Sequence, residues 1–153
     1  MDDTPAFRRL RELGVKHTEV RHGPVGSVAE AAATRGIEVR DLVKTIVVRR
    51  GAGDYVFVLV PGDREFSWPK LRTLLGVSRL SMPDAAEAKQ ATGYERGTIT
   101  PFGASHPWPV LADSSILGRS ISMSGGTHGT GVATPVAVRN QPPTSPRLVT
   151  GQA

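Results

Sequence analysis

The chain has 153 residues, enough for one domain with a real core, and 39% of them are hydrophobic, which excludes a disordered polymer. It contains no cysteine, so disulfides, thiolate metal sites and a cysteine nucleophile are excluded. The formal net charge is +5, and 15 of the 19 basic residues are Arg, which favours a polyanionic partner.

Arg used in place of Lys in GC-rich coding DNA would give the same count. The arginines are dispersed rather than gathered in an arm, and aromatics at 5% are too few for a base-stacking platform. No apolar run approaches the roughly 18 residues of a membrane span, and MDDTPAFRRLREL is no secretory signal. The expectation is a soluble, cytoplasmic protein without a membrane partner.

Thr4-Pro5 predicts a helix start, a cap residue followed by Pro in the first turn. Phe7, Leu10 and Leu13 follow at helical spacing, and Gly14 stops the helix. Lys16 to Arg21 reads as a short strand. Ser27-Val28-Ala29-Glu30 is a capping-box pattern ahead of an Ala-rich helix ending at Gly36. Asp41 to Arg49 reads as a strand, and Gly51 to Asp54 turns the chain into Tyr55 to Val60. The two runs suit an antiparallel hairpin in a sheet centre.

Ser67 caps a helix with Leu71, Leu74 and Leu75 on one face and Gly76 at its end. Ser78 to Met82 is read as a short strand, Pro83 to Thr92 as a helix ended by Gly93. A glycine loop, GYERGTITPFG, occupies 93–103. Val110 to Asp113 and Ser120 to Met123 read as strands, Gly125 to Gly131 as a second glycine loop, and Val132 to Arg139 as the last ordered element. Residues 1–139 are expected to form one domain and 140–153 a flexible tail. Helices and strands mix without strict βαβ alternation, which predicts an α+β domain with a mixed sheet.

Lys44 stands out chemically. Along Val43–Val48 it shares a face with Ile46 and Val48, while Val43, Thr45 and Val47 take the other. A cation on an apolar strand needs an anionic partner, a wet pocket or a route to water. His128 sits among glycines, and His22 precedes Gly-Pro-Val-Gly; each is a candidate or a turn residue. Asp113 could orient a Lys or His, or cap the turn at Ser114-Ser115. Asp63-Arg64-Glu65 reads as a charged turn. His spacing matches no metal motif, and GxSxG, Walker and GxGxxG patterns are absent. An enzyme built this way would position water or a substrate hydroxyl and hold an oxyanion on backbone N–H groups.

Six motifs occur in a telling order: SVAEAA (27–32), VKTIVV (43–48), VLVPGDRE (58–65), GYERGTITPFG (93–103), PVLAD (109–113) and SGGTHG (124–129). Together they resemble the YbaK family of aminoacyl-tRNA deacylases, which includes the editing domain of bacterial prolyl-tRNA synthetases. The likeness spans roughly residues 5–135. It implies a single α+β domain with a mixed, mostly antiparallel sheet curved toward a barrel. It implies trans-editing: hydrolysis of the ester joining a wrong amino acid to the terminal adenosine of tRNA. With no synthetase or anticodon-binding segment in the sequence, a free-standing enzyme is expected, without a cofactor or metal.

The resemblance makes Lys44, Gly97 and His128 the catalytic candidates. Lys44 would hold a phosphate or a substrate oxygen, and Gly97-Thr98-Ile99-Thr100-Pro101 matches the family's GxxxP loop, which shapes the amino-acid pocket. Thr45, Phe102, Asp113, Gly125, Gly126 and His22 complete the expected substrate lining. Thr45 looks like the Cys-tRNA(Pro)-type members, since alanine-selective members tend to carry Asn there; Ala, Ser and Thr stay open as substrates. The expected partners are the aminoacylated acceptor end of tRNA and a prolyl-tRNA synthetase. The competing expectation is a module that binds the acceptor end or a synthetase without cleaving anything.

Overall fold

The computed structural model describes residues 3–21, 27–136 and 147–149. Four helices, α1 (Pro5–Leu13), α2 (Val28–Arg35), α3 (Trp68–Leu75) and α4 (Ala85–Thr92), each start at an oxygen-bearing cap and end at a left-handed glycine. The caps are local chemistry. Thr4 Oγ1 accepts from Phe7 N, Ser27 Oγ from Glu30 N, Ser67 Oγ from Lys70 N, and Asp84 Oδ1 from Glu87 N. The last helix therefore starts one residue after Asp84, later than the expected start at Pro83.

The strands are β1 (Thr18–Arg21), β2 (Val43–Gly51), β3 (Asp54–Pro61), β4 (Val110–Asp113), β5 (Ser120–Ser124), β6 (Thr130–Pro135) and β7 (Arg147–Val149). They form two sheets, β1-β6-β5 and β2-β3-β4-β7. Three of the pairings are antiparallel, whereas β3-β4 and β4-β7 are parallel. Among the described residues, one parallel bridge, Leu42 to Ser122, links the sheets. The α+β class with a mixed sheet stands, but the expected barrel-like curvature does not appear as a closed barrel: the ladder breaks between β2 and β5 apart from that bridge. Among the described residues, Ser78–Met82 supplies a bridge, Ser81 to Arg49, rather than the expected strand, since it meets β2 at one residue. Of the segment expected as a tail, Arg147–Val149 forms β7; the rest lies outside the described residues.

The β2-β3-β4-β7 sheet is covered on both faces, which explains the continuous apolar run of β3, with Tyr55 through Pro61 all buried. On one face α3 inserts Leu71 among Val48, Val56, Val58, Val60 and Leu111. On the other, Phe7 and Leu10 of α1 meet Val43, Leu59, Ala112, Met123 and Val132. Beside them Ala88 and Ala91 of α4 pack with Val47, Phe57, Tyr94 and Ile99. The second layer thus joins the two glycine loops to one face of β2.

Candidate active site

The loop Gly93–Gly103 leaves α4 and is held from within. Thr98 donates both its N–H and its hydroxyl to the Glu95 carbonyl, at 2.9 and 2.7 Å. Tyr94 donates its hydroxyl to the Phe102 carbonyl at 2.7 Å, and burial pushes that phenol up to about 12. Gly97 adopts φ +91°, a left-handed conformation that a side chain would strain. Thr98, Ile99 and Thr100 are buried. Among the described residues, the N–H groups of Gly97, Ile99 and Thr100 make no hydrogen bond. Ile99 and Thr100 are buried, where backbone donors are seldom left unmade, whereas Gly97 is exposed.

The second loop is fastened to the first. Ser124, the last residue of β5, donates its hydroxyl to the Thr98 carbonyl at 2.6 Å and accepts from Gly126 N–H at 3.2 Å. Thr100 Oγ1 lies 3.4 Å from Met123 Sδ. Gly125 and Gly126 are required by crowding. A Cβ at Gly125 would stand 2.5 Å from Thr130 Oγ1, and one at Gly126 would stand 2.9 Å from the Tyr94 ring. Arg35, at the end of α2, crosses behind this loop: it donates to Ser122 Oγ at 2.8 Å and to the carbonyls of Met123 and Thr130 at 3.3 Å each. Burial pushes its guanidinium below the ordinary arginine value.

His128 stands at the mouth. Its side chain is 71% exposed, its Nε2 lies 4.0 Å from Glu95 Oε2, and its Cε1 is 3.6 Å from where a Cβ on Gly97 would be. Thr45 belongs to the face of β2 that carries Val43 and Val47, the face against which Ile99 and Met123 pack. Its Oγ1 is buried without a hydrogen-bond partner.

Lys44 is placed differently. The pleat turns it to the α3 face, where its Nζ donates to the Arg64 carbonyl at 2.8 Å. Asp113 ends β4 fully buried. Its Oδ1 accepts from Ser115 N–H at 2.9 Å, the capping arrangement. Its Oδ2 has no hydrogen-bond partner and lies 4.0 Å from Arg64 Nη1. Arg64 thus connects Lys44 and Asp113, apart from the glycine loops.

The structure therefore brings Gly97, Thr98, Ile99, Thr100, Pro101, Phe102, Gly125, Gly126, His128 and Thr45 into one neighbourhood, and sets Lys44 with Asp113 beside it on the other sheet face. His22 lies outside the described residues. Sequence reasoning passed over Ser124, Tyr94 and Arg35. Ser124 and Tyr94 each adjoin a glycine that was singled out, which is a usable signal; Arg35 sits 87 residues from Ser122, and nothing local announces it. Among the described residues, no group of three or more metal-ligating side chains gathers. No described helix is long and apolar enough to cross a membrane.

This geometry, a mixed α+β scaffold presenting two stapled glycine loops, has relatives. Residues 22–140 match the family described as the aminoacyl-tRNA editing domain, and the chain belongs to that family. It is 35% identical over 102 residues to a proline–tRNA ligase of Thermosipho melanesiensis, covering 66% of this chain and 18% of that protein. It is 29% identical over 133 residues to EbsC of Enterococcus faecalis, named as a candidate Cys-tRNA(Pro)/Cys-tRNA(Cys) deacylase, covering 82% of this chain and 79% of EbsC. A solved structure described as a candidate trans-editing enzyme for prolyl tRNA synthetase superposes with a TM-score of 0.75 at 26% identity, covering 86% of this chain and 84% of that one. The chain spans about a fifth of the proline–tRNA ligases it matches (18%, 14% and 19% of the first three).

Proposed function

We propose that this chain is a trans-editing aminoacyl-tRNA deacylase, hydrolysing the ester between a mischarged amino acid and the terminal adenosine. The observation that carries this reading is the set of unclaimed N–H groups at Gly97, Ile99 and Thr100, in a loop pinned by Ser124. An oxygen nucleophile attacks the ester carbonyl carbon, and the carbonyl oxygen becomes an oxyanion. Donors already fixed in place stabilise that charge without reorganising, and one such donor is typically worth about 3 kcal/mol. Collapse breaks the ester C–O bond, and the departing ribose oxygen takes a proton. His128, exposed at the mouth beside Gly97, is the described group best placed to pass that proton on. Family likeness to EbsC and to proline–tRNA ligases supports Cys-tRNA(Pro) as the first substrate to try, with Ala-, Ser- and Thr-charged tRNA behind it. The orphaned Thr45 hydroxyl is the polar group an amino-acid side chain or ammonium would meet.

Lys44 is assigned a supporting place: with Arg64 it presents positive charge at the sheet end, suited to a phosphate of the terminal nucleotide. One observation favours the second reading, an acceptor-end binder that cleaves nothing: the Lys44 ammonium faces away from the loops and is engaged by the Arg64 carbonyl. Release of amino acid from tRNA(Pro) charged with Cys, Ala, Ser or Thr, against the spontaneous rate, separates the two. Acceleration of at least one supports the enzyme; tight tRNA binding with no acceleration supports the binder.

A further inference from the structure

The end of β2 farthest from Lys44 forms a second feature. Arg49, Arg50 and Gly51, the last turn of α3 at Arg72, and Ser78, Arg79, Leu80 and Ser81 line a concavity of about 500 Å³. Paired backbone hydrogen bonds fix its rim, Arg49 N to the Ser81 carbonyl at 2.8 Å and Ser81 N to the Arg49 carbonyl at 3.1 Å. Its lining holds four arginines and no carboxylate.

Two of the arginines are already positioned by acids outside the lining. Arg50 grips Asp54 with two bonds of 3.0 and 2.9 Å, and Arg49 Nε lies 3.2 Å from Glu87 Oε2. Arg72 and Arg79 make no ion pair or side-chain hydrogen bond among the described residues. Counting Glu87 and Asp54 against the four arginines leaves a net +2 around one concavity. Scattered exposed arginines are ordinary, but four converging without an acid in the wall are not. The guanidinium fork matches phosphate oxygens, and Ser78 and Ser81 add hydroxyl donors.

We infer that this groove docks the phosphodiester backbone of the RNA substrate; the inference rests on the reading above that the substrate is an aminoacyl-tRNA. Lys44 and Arg49 are five residues apart on β2, about 17 Å at the usual strand rise. A phosphate held at Lys44 is therefore not the one held in the groove, and the groove meets a phosphate farther back along the chain. Its contribution is to binding rather than to bond cleavage.

The test uses Arg72→Ala/Arg79→Ala, which leaves the ion pairs of Arg49 and Arg50 intact. KM for aminoacyl-tRNA rises about tenfold at physiological salt with kcat unchanged, and the slope of log affinity against log salt falls by about 1.5. Hydrolysis of the 3′-aminoacyl ester of adenosine, which has no phosphodiester backbone, stays the same. Arg72→Lys/Arg79→Lys recovers most of the affinity, and Arg9→Ala/Lys16→Ala, equal in charge lost but elsewhere, leaves KM unchanged. An unchanged KM in the Ala variant overturns the inference. So does an equal loss on the adenosine ester or in the Arg9/Lys16 control, or an equal loss of binding to polyglutamate. If the wild type cleaves neither ester, the proposed function fails by itself. Binding of uncharged tRNA to the same variants then decides the groove separately, the loss of affinity supporting it and its absence overturning it.

Discussion

Ser124 donates its hydroxyl to the Thr98 carbonyl at 2.6 Å, across 26 residues of sequence. The bond ties the end of β5 to the middle of the loop whose N–H groups are unclaimed. The same oxygen accepts from Gly126 N–H, so one side chain sets the spacing of both glycine loops. Ser124→Ala is expected to lower kcat for deacylation about tenfold. Stability should fall by only about 1 kcal/mol, the usual worth of such a bond. Single-turnover rates and a denaturant titration read the two effects separately, and Ser124→Thr should recover part of the rate.

Gly97 is held by its backbone more than by crowding. A Cβ there meets nothing nearer than His128 Cε1 at 3.6 Å, an ordinary contact, but φ +91° is costly for any side chain. Gly97→Ala is therefore expected to lose about 1–2 kcal/mol of stability as well as turnover. Gly76→Ala is the matched control: φ +69°, open space and the end of α3. Similar thermal loss in both variants, with rate loss in Gly97→Ala alone, is the expected pattern.

Gly103 is the opposite case. A Cβ there would run into the Pro5 carbonyl and lie 2.8 Å from Ala6 N, both backbone atoms of α1. Neither can swing aside, so Gly103→Ala should cost about 3 kcal/mol, the upper range for overpacking. The thermal midpoint of the purified variant checks this.

Lys44→Ala removes the ammonium from the Arg64 carbonyl and the positive charge from the sheet end. Deacylation of aminoacyl-tRNA should fall at least about tenfold, while the fold persists because the bond lost is a single, exposed one. Circular dichroism and the rate of amino acid release are the two readouts.

Glu19 carries a pH prediction. Its hydrogen bonds with Arg11, and then with His17, hold its carboxyl down at about 2 against an ordinary 4.5. A lowered folded-state value means the contribution is complete above about 4.5 and is lost as the pH falls toward 2. Glu19→Gln should flatten the stability profile across that window. Urea midpoints at stepped pH values test it.

What the sequence revealed followed the range of the forces involved. Helix starts at Thr4, Ser27 and Ser67 and stops at Gly14, Gly36, Gly76 and Gly93 were legible because caps act within three or four residues. The β2–β3 hairpin was legible for the same reason. The split into two sheets was not, since it depends on which strands meet across long separations. Ser78–Met82 has the composition of a strand, but Arg49 meets it at one residue only. At the site, alternation along β2 correctly separated Lys44 from Thr45. It could not say that the glycine loops would choose the Thr45 side, because α1 and α4 decide that by packing there.

The most direct test of the central claim is the rate at which purified protein releases cysteine from Cys-tRNA(Pro), measured beside Ala-, Ser- and Thr-charged tRNA(Pro). Release well above the spontaneous rate from at least one of them, reduced about tenfold by Ser124→Ala, is the result expected of donors pinned at Gly97, Ile99 and Thr100. Release at the spontaneous rate from all four would contradict the account.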